Sequence, residues 1–413
     1  MGVIELANTW GHPPEGVLEH IFSYLPSYAD RASCACVCRQ WYFYAREKES
    51  TTPLFPCLLR PSISGASCFH LFSRTCTSMP TVPAARFCGS MEGQWFVVAR
   101  DQWRGYALLH LASGTQILLP QGLLQEDGDR FNFNDLWVGL ESTDLIIRAA
   151  TAFRAPRYPD GDEHYFVAAI TLGEHRAAAC LSGNGRWALL EPDQGIICPD
   201  LDKMLVMYEE MEDVIYYSCS GLDGFFFLTT EEHLMVFLPD DDGEGHITGE
   251  VLAYLFRGHT MASPPEAGHV VAARYLVESE GRLLMVKRFV SPCQGQQSTV
   301  SFQVFTLMWD NWNRKVPRWE KSSPTSAPLL GKMLFVGRGC SRAIGTGRTG
   351  PAFIYFLDDA VASPYELLTT IIRTEKEYRC SDMGWCRYDQ QYIGKDWPQG
   401  PPADCSPWIW LYR

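Results

Sequence analysis

From about residue 85 onward the chain breaks into short apolar runs of period two, each stopped by a turn signal, and this series limits the fold more than any other feature. The predicted strands begin with Trp95–Arg100, Tyr106–Leu111, Gln116–Leu119, Leu145–Ala149, Tyr165–Thr171, Ala177–Leu181 and Trp187–Leu190. They continue with Val214–Ser218, Phe225–Thr229, Leu234–Leu238, Val270–Val277, Leu283–Val290, Val300–Leu307, Met333–Val336, Ala352–Leu357 and Met383–Tyr388. Ser113-Gly114, Asn184-Gly185, Asp223-Gly224 and Glu280-Gly281 supply the turns between them. So many short antiparallel strands over about 330 residues exceed one sandwich. They suit a β-propeller of six or seven four-stranded blades. GQWFVVARDQWRGYALLHLASGTQILLP and DVIYYSCSGLDGFFFLTTEEHLMVFLPD share a pattern of strand, Gly turn, apolar strand and polar exit. No Gly-Gly pair of the kelch kind accompanies it, and Trp309-Asp310 stands about 50 residues after Gly258-His259 with no second copy.

Composition removes several function classes. Hydrophobic residues make up 46% of the 413, which excludes disorder over most of the chain. The 48 acidic residues outnumber the 35 basic ones, for a net charge of -13. That balance argues against a general nucleic-acid binder and against a polybasic membrane-surface protein. MGVIELANTW lacks the basic and apolar regions of a secretory signal, and Leu6 stands where myristoylation needs Ser or Thr. The uncharged stretch Gly105–Gln125 is broken by Gly114 and Pro120, so no transmembrane helix is expected. An odd count of 15 cysteines with no C-x-x-C pair reads as reduced thiols in a cytoplasmic or nuclear protein. The alternating Cys34, Cys36 and Cys38 would scatter around a helix instead of converging on a metal.

Residues 13–47 have a different period. Pro14 and Glu15 open a helix whose stripe is Leu18, Ile21, Phe22 and Leu25, and Pro26 ends it. Asp30 is the expected N-cap of a second pattern through Cys34, Val37, Cys38, Trp41, Tyr44 and Ala45. A helical hairpin of about 35 residues is too small to bury both stripes, so it packs on the rest of the chain or docks a partner's helices. The Pro-, Ser- and Thr-rich stretch that follows reads as an irregular connector over 51–84 with one or two short strands.

Motifs for chemistry fail their context tests. Gly345-Thr-Gly347-Arg-Thr-Gly350 matches G-x-G-x-x-G in letters, but Pro351 and an apparent strand follow where a helix must open. The acidic run Asp240–Gly245 has Val251 where a calcium loop needs its bidentate Glu, and reads as a solvated hairpin tip. Ser182-Gly-Asn184-Gly185-Arg-Trp187 is an Asn-Gly hairpin turn. The 10 histidines form no H-E-x-x-H, and no G-x-S-x-G elbow occurs. No residue is assigned a catalytic, cofactor-binding or metal-ligating role.

The N-terminal hairpin resembles an F-box through Pro13-Pro14-Glu15, Leu18, Ile21, Leu25-Pro26, Asp30 and Val37-Cys38-Arg39 with Trp41. It departs at Gly16, where a better helix former is usual, and in the insert Ser27-Tyr28-Ala29. The rest resembles the plant F-box family whose C-terminal region is catalogued as domain of unknown function 295, a kelch-like propeller family. Pro53-Leu-Phe-Pro56, Cys68-Phe69, Cys88-Gly89-Ser90, Gly93-Gln-Trp95 and Val277-Glu-Ser-Glu-Gly281-Arg-Leu-Leu carry this. So do Phe302-Gln-Val-Phe305, Ile354-Tyr-Phe-Leu-Asp358-Asp359 and Ser406-Pro407-Trp408-Ile-Trp410. The resemblance implies a mainly β chain with an F-box at 10–50, a connector at 51–84 and a propeller-like domain at 85–413. It also implies the substrate receptor of a Skp–cullin–F-box ubiquitin ligase, non-catalytic and located in cytoplasm or nucleus. The F-box would dock a Skp-type adaptor, and through it a cullin, while the propeller holds an unidentified protein target. Pro14, Leu18, Ile21, Leu25, Val37 and Trp41 are the expected adaptor contacts or their immediate support. Two alternatives stay open: a propeller enzyme of glycosidase type with paired carboxylates at its central face, and a non-ligase scaffold with a degenerate F-box.

Overall fold

Phe225-Phe226-Phe227-Leu228 shows how such a sequence builds its core. Successive side chains on a strand point to opposite faces. Phe225 and Phe227 pack toward the preceding sheet, Phe226 and Leu228 toward the following one. A strand buried on both faces reads as an unbroken apolar run, and repeating that arrangement around a ring gives a propeller.

The computed structural model describes residues 15–23, 25 and 28–48 and, with interruptions, 55–412. The longer interruptions are 80–83, 122–144, 156–162, 173–176, 191–194, 197–209, 242–246, 257–267, 310–316, 360–366, 372–376 and 398–401. Three helices, α1 (Glu15–Ser23), α2 (Tyr28–Ala35) and α3 (Arg39–Lys48), precede six sheets. Blade I begins with β1 (Cys57–Ser62), β2 (Gly65–His70) and β3 (Thr75–Met79). Blade II is β4 (Arg86–Ser90), β5 (Trp95–Ala99), β6 (Tyr106–His110) and β7 (Gln116–Leu118). Blade III is β8 (Ile147–Arg154), β9 (Tyr165–Thr171), β10 (Ala177–Leu181) and β11 (Ala188–Leu189). Next come β12 (Gly195–Ile196) and the body of blade IV: β13 (Met211–Cys219), β14 (Leu222–Thr229), β15 (Leu234–Asp241) and β16 (Ile247–Tyr254). Blade V is β17 (Val270–Ser279), β18 (Arg282–Cys293), β19 (Gln296–Met308) and β20 (Arg318–Lys321). Blade VI holds β21 (Lys332–Val336), β22 (Arg342–Gly345), β23 (Phe353–Phe356), β24 (Gly384–Arg387) and β25 (Tyr392–Gly394). Finally β26 (Ile409–Leu411) returns to blade I and pairs with β1, Leu58 opposite Trp410.

Six blades therefore form, the smaller of the two expected numbers. One edge strand from each sheet, β26, β4, β8, β13, β17 and β22, faces the ring centre, and neighbouring inner strands touch from β26 round to β22. Trp410 and Tyr412 close the gap between blades VI and I, donating to the carbonyls of Val336 (3.0 Å) and Cys340 (2.6 Å).

Several boundaries differ from the sequence expectations. The connector expected over 51–84 contains three strands of blade I, so the β region starts at Cys57. Pro61 and the Ser/Thr-rich β3 disguise them, because β3 is an exposed outer edge that needs no apolar stripe. Two pairings are parallel where antiparallel order was expected: β12 beside β16 and β21 beside β23. The second helical pattern is two helices, α2 and α3. The i→i−3 bonds Cys36 N–H to Ser33 O (3.2 Å) and Val37 N–H to Cys34 O (3.0 Å) tighten and end the first of them. Helix α2 starts at Tyr28, so Asp30 lies within its first turn instead of capping it. Of the G-x-G-x-x-G letters, Gly345 ends β22 and Gly350 stands before β23, so a strand and not a helix follows them, as expected; Gly347 and Arg348 lie outside the described residues. Asn184-Gly185 and the tip 242–246 lie outside the described residues. No helix among the described residues is long and apolar enough to cross a membrane, and the described cysteines are free thiols.

Candidate docking surface and central cavity

The helical module has a small core. Leu18, Phe22, Trp41 and Tyr44 are buried together, with Phe22 ring centroids 6.1 Å from Trp41 and 5.3 Å from Tyr44. Arg31 Nε donates to the Leu25 carbonyl at 2.6 Å and ties α2 to the end of α1. This consumes two of the six expected contact residues as internal support: Leu18 and Trp41 face the module's own core. Ile21 and Leu25 are half-buried, while Val37 is 60% exposed in the bend between α2 and α3. Pro14 lies outside the described residues.

Three exposed apolar residues escaped the sequence reading: Val17, Tyr42 and Phe43, the last 53% exposed. Tyr42 and Phe43 meet edge-to-face at 5.7 Å, and Arg39 lies 5.5 Å from the Phe43 ring centroid. The signal was present, since Tyr42 and Phe43 flank the Trp41–Tyr44–Ala45 stripe and had to point away from it. The module thus buries one stripe within itself and leaves a second apolar surface in solvent.

Gly16 sits in the first turn of α1 with nothing within 4 Å of where its Cβ would lie. Gly16→Ala is expected to stabilise the module by about 0.5–1 kcal/mol through helix propensity. Thermal melts of the full chain followed by helical circular dichroism check this; an unchanged or earlier first transition contradicts it.

At the centre of the ring a cavity of about 330 Å³ is bordered by Arg86 and Cys88 from β4, Arg148 from β8, Arg338 after β21, and Asp358 and Asp359 after β23. The two carboxylates are held as acceptors. Asp358 takes the N–H groups of Ser381 (2.7 Å) and Asp382 (3.0 Å). Asp359 takes the Tyr275 hydroxyl (2.6 Å) and the Arg338 N–H (2.8 Å).

Beside the cavity, charges alternate in sign through blades IV, V and VI. Lys287 pairs with Glu232 (2.5 Å), Glu232 with Arg274 (3.3 Å), and Arg274 with Glu212 (3.5 Å). Glu212 pairs with Arg338 (3.0 Å), whose backbone N–H donates to the Asp359 carboxylate; Asp359 lies 3.6 Å from Arg288. Arg288 reaches Asp382 (2.7 Å), and Asp382 meets Lys395 (2.6 Å). Burial works against the Glu212 charge, but Arg338, Arg148 and Arg274 hold its carboxyl below the usual range. Asp213 is a separate keystone. It accepts N–H groups from Val214 (2.9 Å), Leu276 (2.8 Å) and Gly339 (2.8 Å), so one carboxylate joins three blades. Burial pushes it up to about 7, and the three donors resist a further rise.

One cluster among the described residues has metal-ligand types in reach of one another. Cys57, Cys68 and His70, all buried, hold their ligand atoms within 4.8 Å, with Cys57 Sγ 3.1 Å from His70 Nδ1. Three ligands fall one short of a closed tetrahedral zinc site.

A short apolar helical module preceding a six-bladed propeller defines the class of this chain. An F-box-like profile matches residues 12–49, which contain the three helices. The KIB1-4 beta-propeller profile matches residues 67–389, and the chain belongs to that family. Its start at 67, within β2, agrees with a β region that begins before residue 85. Two solved structures are distantly similar. One is an Agrocybe aegerita lectin that recognises non-reducing terminal N-acetylglucosamine, 10% identical, with a TM-score of 0.28 over 86% of this chain and 92% of that one. The other is apo AztD from Citrobacter koseri, 9% identical, with a TM-score of 0.26 over 86% and 98%.

Proposed function

We propose that this protein is the substrate receptor of a Skp–cullin–F-box ubiquitin ligase. In this reading the helical module docks the Skp-type adaptor, the adaptor brings a cullin, and the propeller presents the target. The observation that carries it is the set of large apolar side chains that the F-box-like module leaves exposed, Val17, Val37, Tyr42 and Phe43, the last two in ring contact. Four large apolar side chains left in solvent on so small a module point to an interaction site, and aromatic side chains supply much of such binding energy. Leu18 and Trp41 act beneath it, fixing the helices that display it. Ubiquitin transfer belongs to other subunits, so the chain supplies binding and geometry instead of chemistry. The reduced thiols suit a cytoplasmic or nuclear setting. The finer placement among plant F-box proteins of the domain-of-unknown-function 295 type rests on the segments from Pro53 to Trp410 quoted above.

Val37→Asp combined with Phe43→Asp is expected to weaken adaptor capture by about 100-fold, since each charge replaces an exposed anchor worth about 1–2 kcal/mol. Both sites are exposed, so the helical and β circular dichroism signals should not change. Co-purification of the adaptor, and of cullin through it, reads the result. Undiminished capture by the folded variant sinks the proposal.

A further inference from the structure

Blade I brings together a set of soft ligands that no local motif announces. Leu59 pairs with Cys68 and Leu58 with Phe69, so one step further Cys57 comes opposite His70. Alternate residues of a strand share a face, which puts Cys57, Cys68 and His70 on one face of the β1–β2 hairpin. All three are buried, at 3%, 0% and 4% exposure, and their ligand atoms lie within 4.8 Å of one another. Neither thiol is in a disulfide. Bonds of about 2.0–2.3 Å to one ion set its ligand atoms about 3.5–4 Å apart. Cys57 Sγ and His70 Nδ1, at 3.1 Å, stand a little inside that spacing, so small side-chain rotations bring the three onto one ion.

The imidazole is already turned for ligation. Its Nε2 lies 3.2 Å from Thr77 Oγ1, and that hydroxyl lies 3.5 Å from the Cys68 carbonyl. A carbonyl only accepts, so the hydroxyl's one proton goes to it. The hydroxyl oxygen then accepts from Nε2–H, which leaves the lone pair on Nδ1, facing Cys57 Sγ. A partner that takes the far N–H and fixes the tautomer is what metal-bound histidines have. The lone pair itself meets a thiol, which is a weak donor, so a cation would use it better. The donor set also selects the ion. Two sulfurs and an imidazole suit thiophilic cations, whereas Mg²⁺ and Ca²⁺ take oxygen. Two thiolates balance the charge of Zn²⁺, so the loaded site is neutral, as burial requires; zinc would take its fourth ligand from water. Cu⁺ accepts soft ligands and is satisfied by three, the number present.

We propose that Cys57, Cys68 and His70 bind a thiophilic d¹⁰ metal ion, Zn²⁺ or Cu⁺, with Thr77 as the positioning residue that orients His70. Binding releases the two thiol protons to solvent and transfers no electron. The ion clips β1 to β2 beside the ring closure, because Cys57 also pairs with Leu411 of β26. An ion held only by the folded chain stabilises it by mass action. The inference stands apart from the receptor reading, since none of these residues belongs to the helical module.

The test loads the full chain, stripped by a chelator and kept reduced under argon, with Zn²⁺ or Cu⁺ separately, and with Mg²⁺ as control. At least one thiophilic ion should stay bound in equimolar amount through gel filtration and raise the thermal midpoint, and Mg²⁺ should do neither. X-ray absorption at the metal edge should show a first shell of two sulfurs and one imidazole nitrogen, for zinc at about 2.3 Å and about 2.0–2.1 Å. Competition with a chromophoric chelator identifies the tighter ion, and either identity supports the site. Loss of a second partner of a metal ligand typically costs about 10–100-fold in affinity. Thr77→Val should therefore weaken binding about 10-fold with the first shell unchanged, while Cys57→Ala and Cys68→Ala should each cost about 100-fold or more. Cys76→Ser, exposed on β3, should change nothing. If the alanine variants do not fold, the absorption spectrum of the parent protein decides alone. Retention of neither ion overturns the proposal, as does a first shell without imidazole or with three or more sulfurs. Binding that the folded alanine variants leave unchanged overturns it too.

Discussion

Arg288→Met is expected to lower the unfolding free energy by about 3–5 kcal/mol, the cost of breaking a buried ion pair from one side. Arg288 lies at the junction of blades V and VI, with no exposed surface. It donates to Thr299 Oγ1 (2.7 Å), the Leu357 carbonyl (2.6 Å), and the Asp382 carbonyl (2.9 Å) and Oδ2 (2.7 Å). Its guanidinium carbon stands 4.8 Å from the Phe356 ring centroid. Burial disfavours its charge, yet Tyr275, Asp382 and Asp359 raise its pKa above the ordinary arginine value. Methionine fills the volume but deprives two buried carbonyls of a donor and leaves Asp382 to Lys395, Thr299 and the Thr299 backbone. Urea unfolding of Arg288→Met, Asp382→Asn and the double variant gives the coupling between them. A loss under about 1 kcal/mol for Arg288→Met would show that the junction repacks without its cation. The pH dependence has a definite sign. Burial raises the Asp382 pKa, but Arg288, Lys395 and Thr299 bring it below 3.8 overall. The stability it contributes is complete above the unfolded value and is lost as pH falls below about 4.

Gly89→Ala should be at least as damaging, for a steric reason. A Cβ there would sit 1.8 Å from the Ala150 carbonyl oxygen and 3.0 Å from that of Gly339. Both obstacles are backbone, one in β8 and one in the turn after β21, so no side chain can swing aside. Gly89 follows a register shift in β4, and the next residue, Ser90, donates its N–H to Gly339 at 3.1 Å. Blades II, III and VI therefore meet near the axis at backbone-to-backbone distance. We expect insoluble protein or a loss of about 4 kcal/mol or more. Soluble yield and the thermal midpoint report it, with Gly16→Ala as the glycine that tolerates a methyl group. A midpoint matching the parent protein would mean the inner strands have slack that these distances deny.

The strands that sequence patterning finds are those whose two faces both go into the core. Tyr165–Thr171 and Ala177–Leu181 appear with their predicted limits, and Phe225–Thr229 extends only three residues earlier. Strands with mixed duties escape. Ile247–Tyr254 interrupts its pattern with the exposed Thr248, Gly249 and Glu250, and Arg342–Gly345 is short and only partly buried. The central cavity was illegible for a topological reason. Arg86 and Arg148 are 62 positions apart, and Arg338 lies 190 further on, so only ring closure brings them to one cavity. Locally, Arg86 is one basic residue opening RFCGS, and nothing in its neighbours marks it as buried. The helical module was more legible, because its core stripe is local; its outward surface is what that stripe leaves over.

The strand that closes blade I also sets a timetable for synthesis. Cys57–Leu59 acquire their final neighbour only when Ile409–Leu411 have left the ribosome, about 350 residues later. At about 5–20 residues per second, that edge waits roughly 20–70 s with its backbone donors and acceptors unpaired. An open apolar edge is a template for pairing with other nascent chains. Among the described strands β1 therefore waits longest for its partner, and closure of the ring is the last strand pairing that synthesis permits.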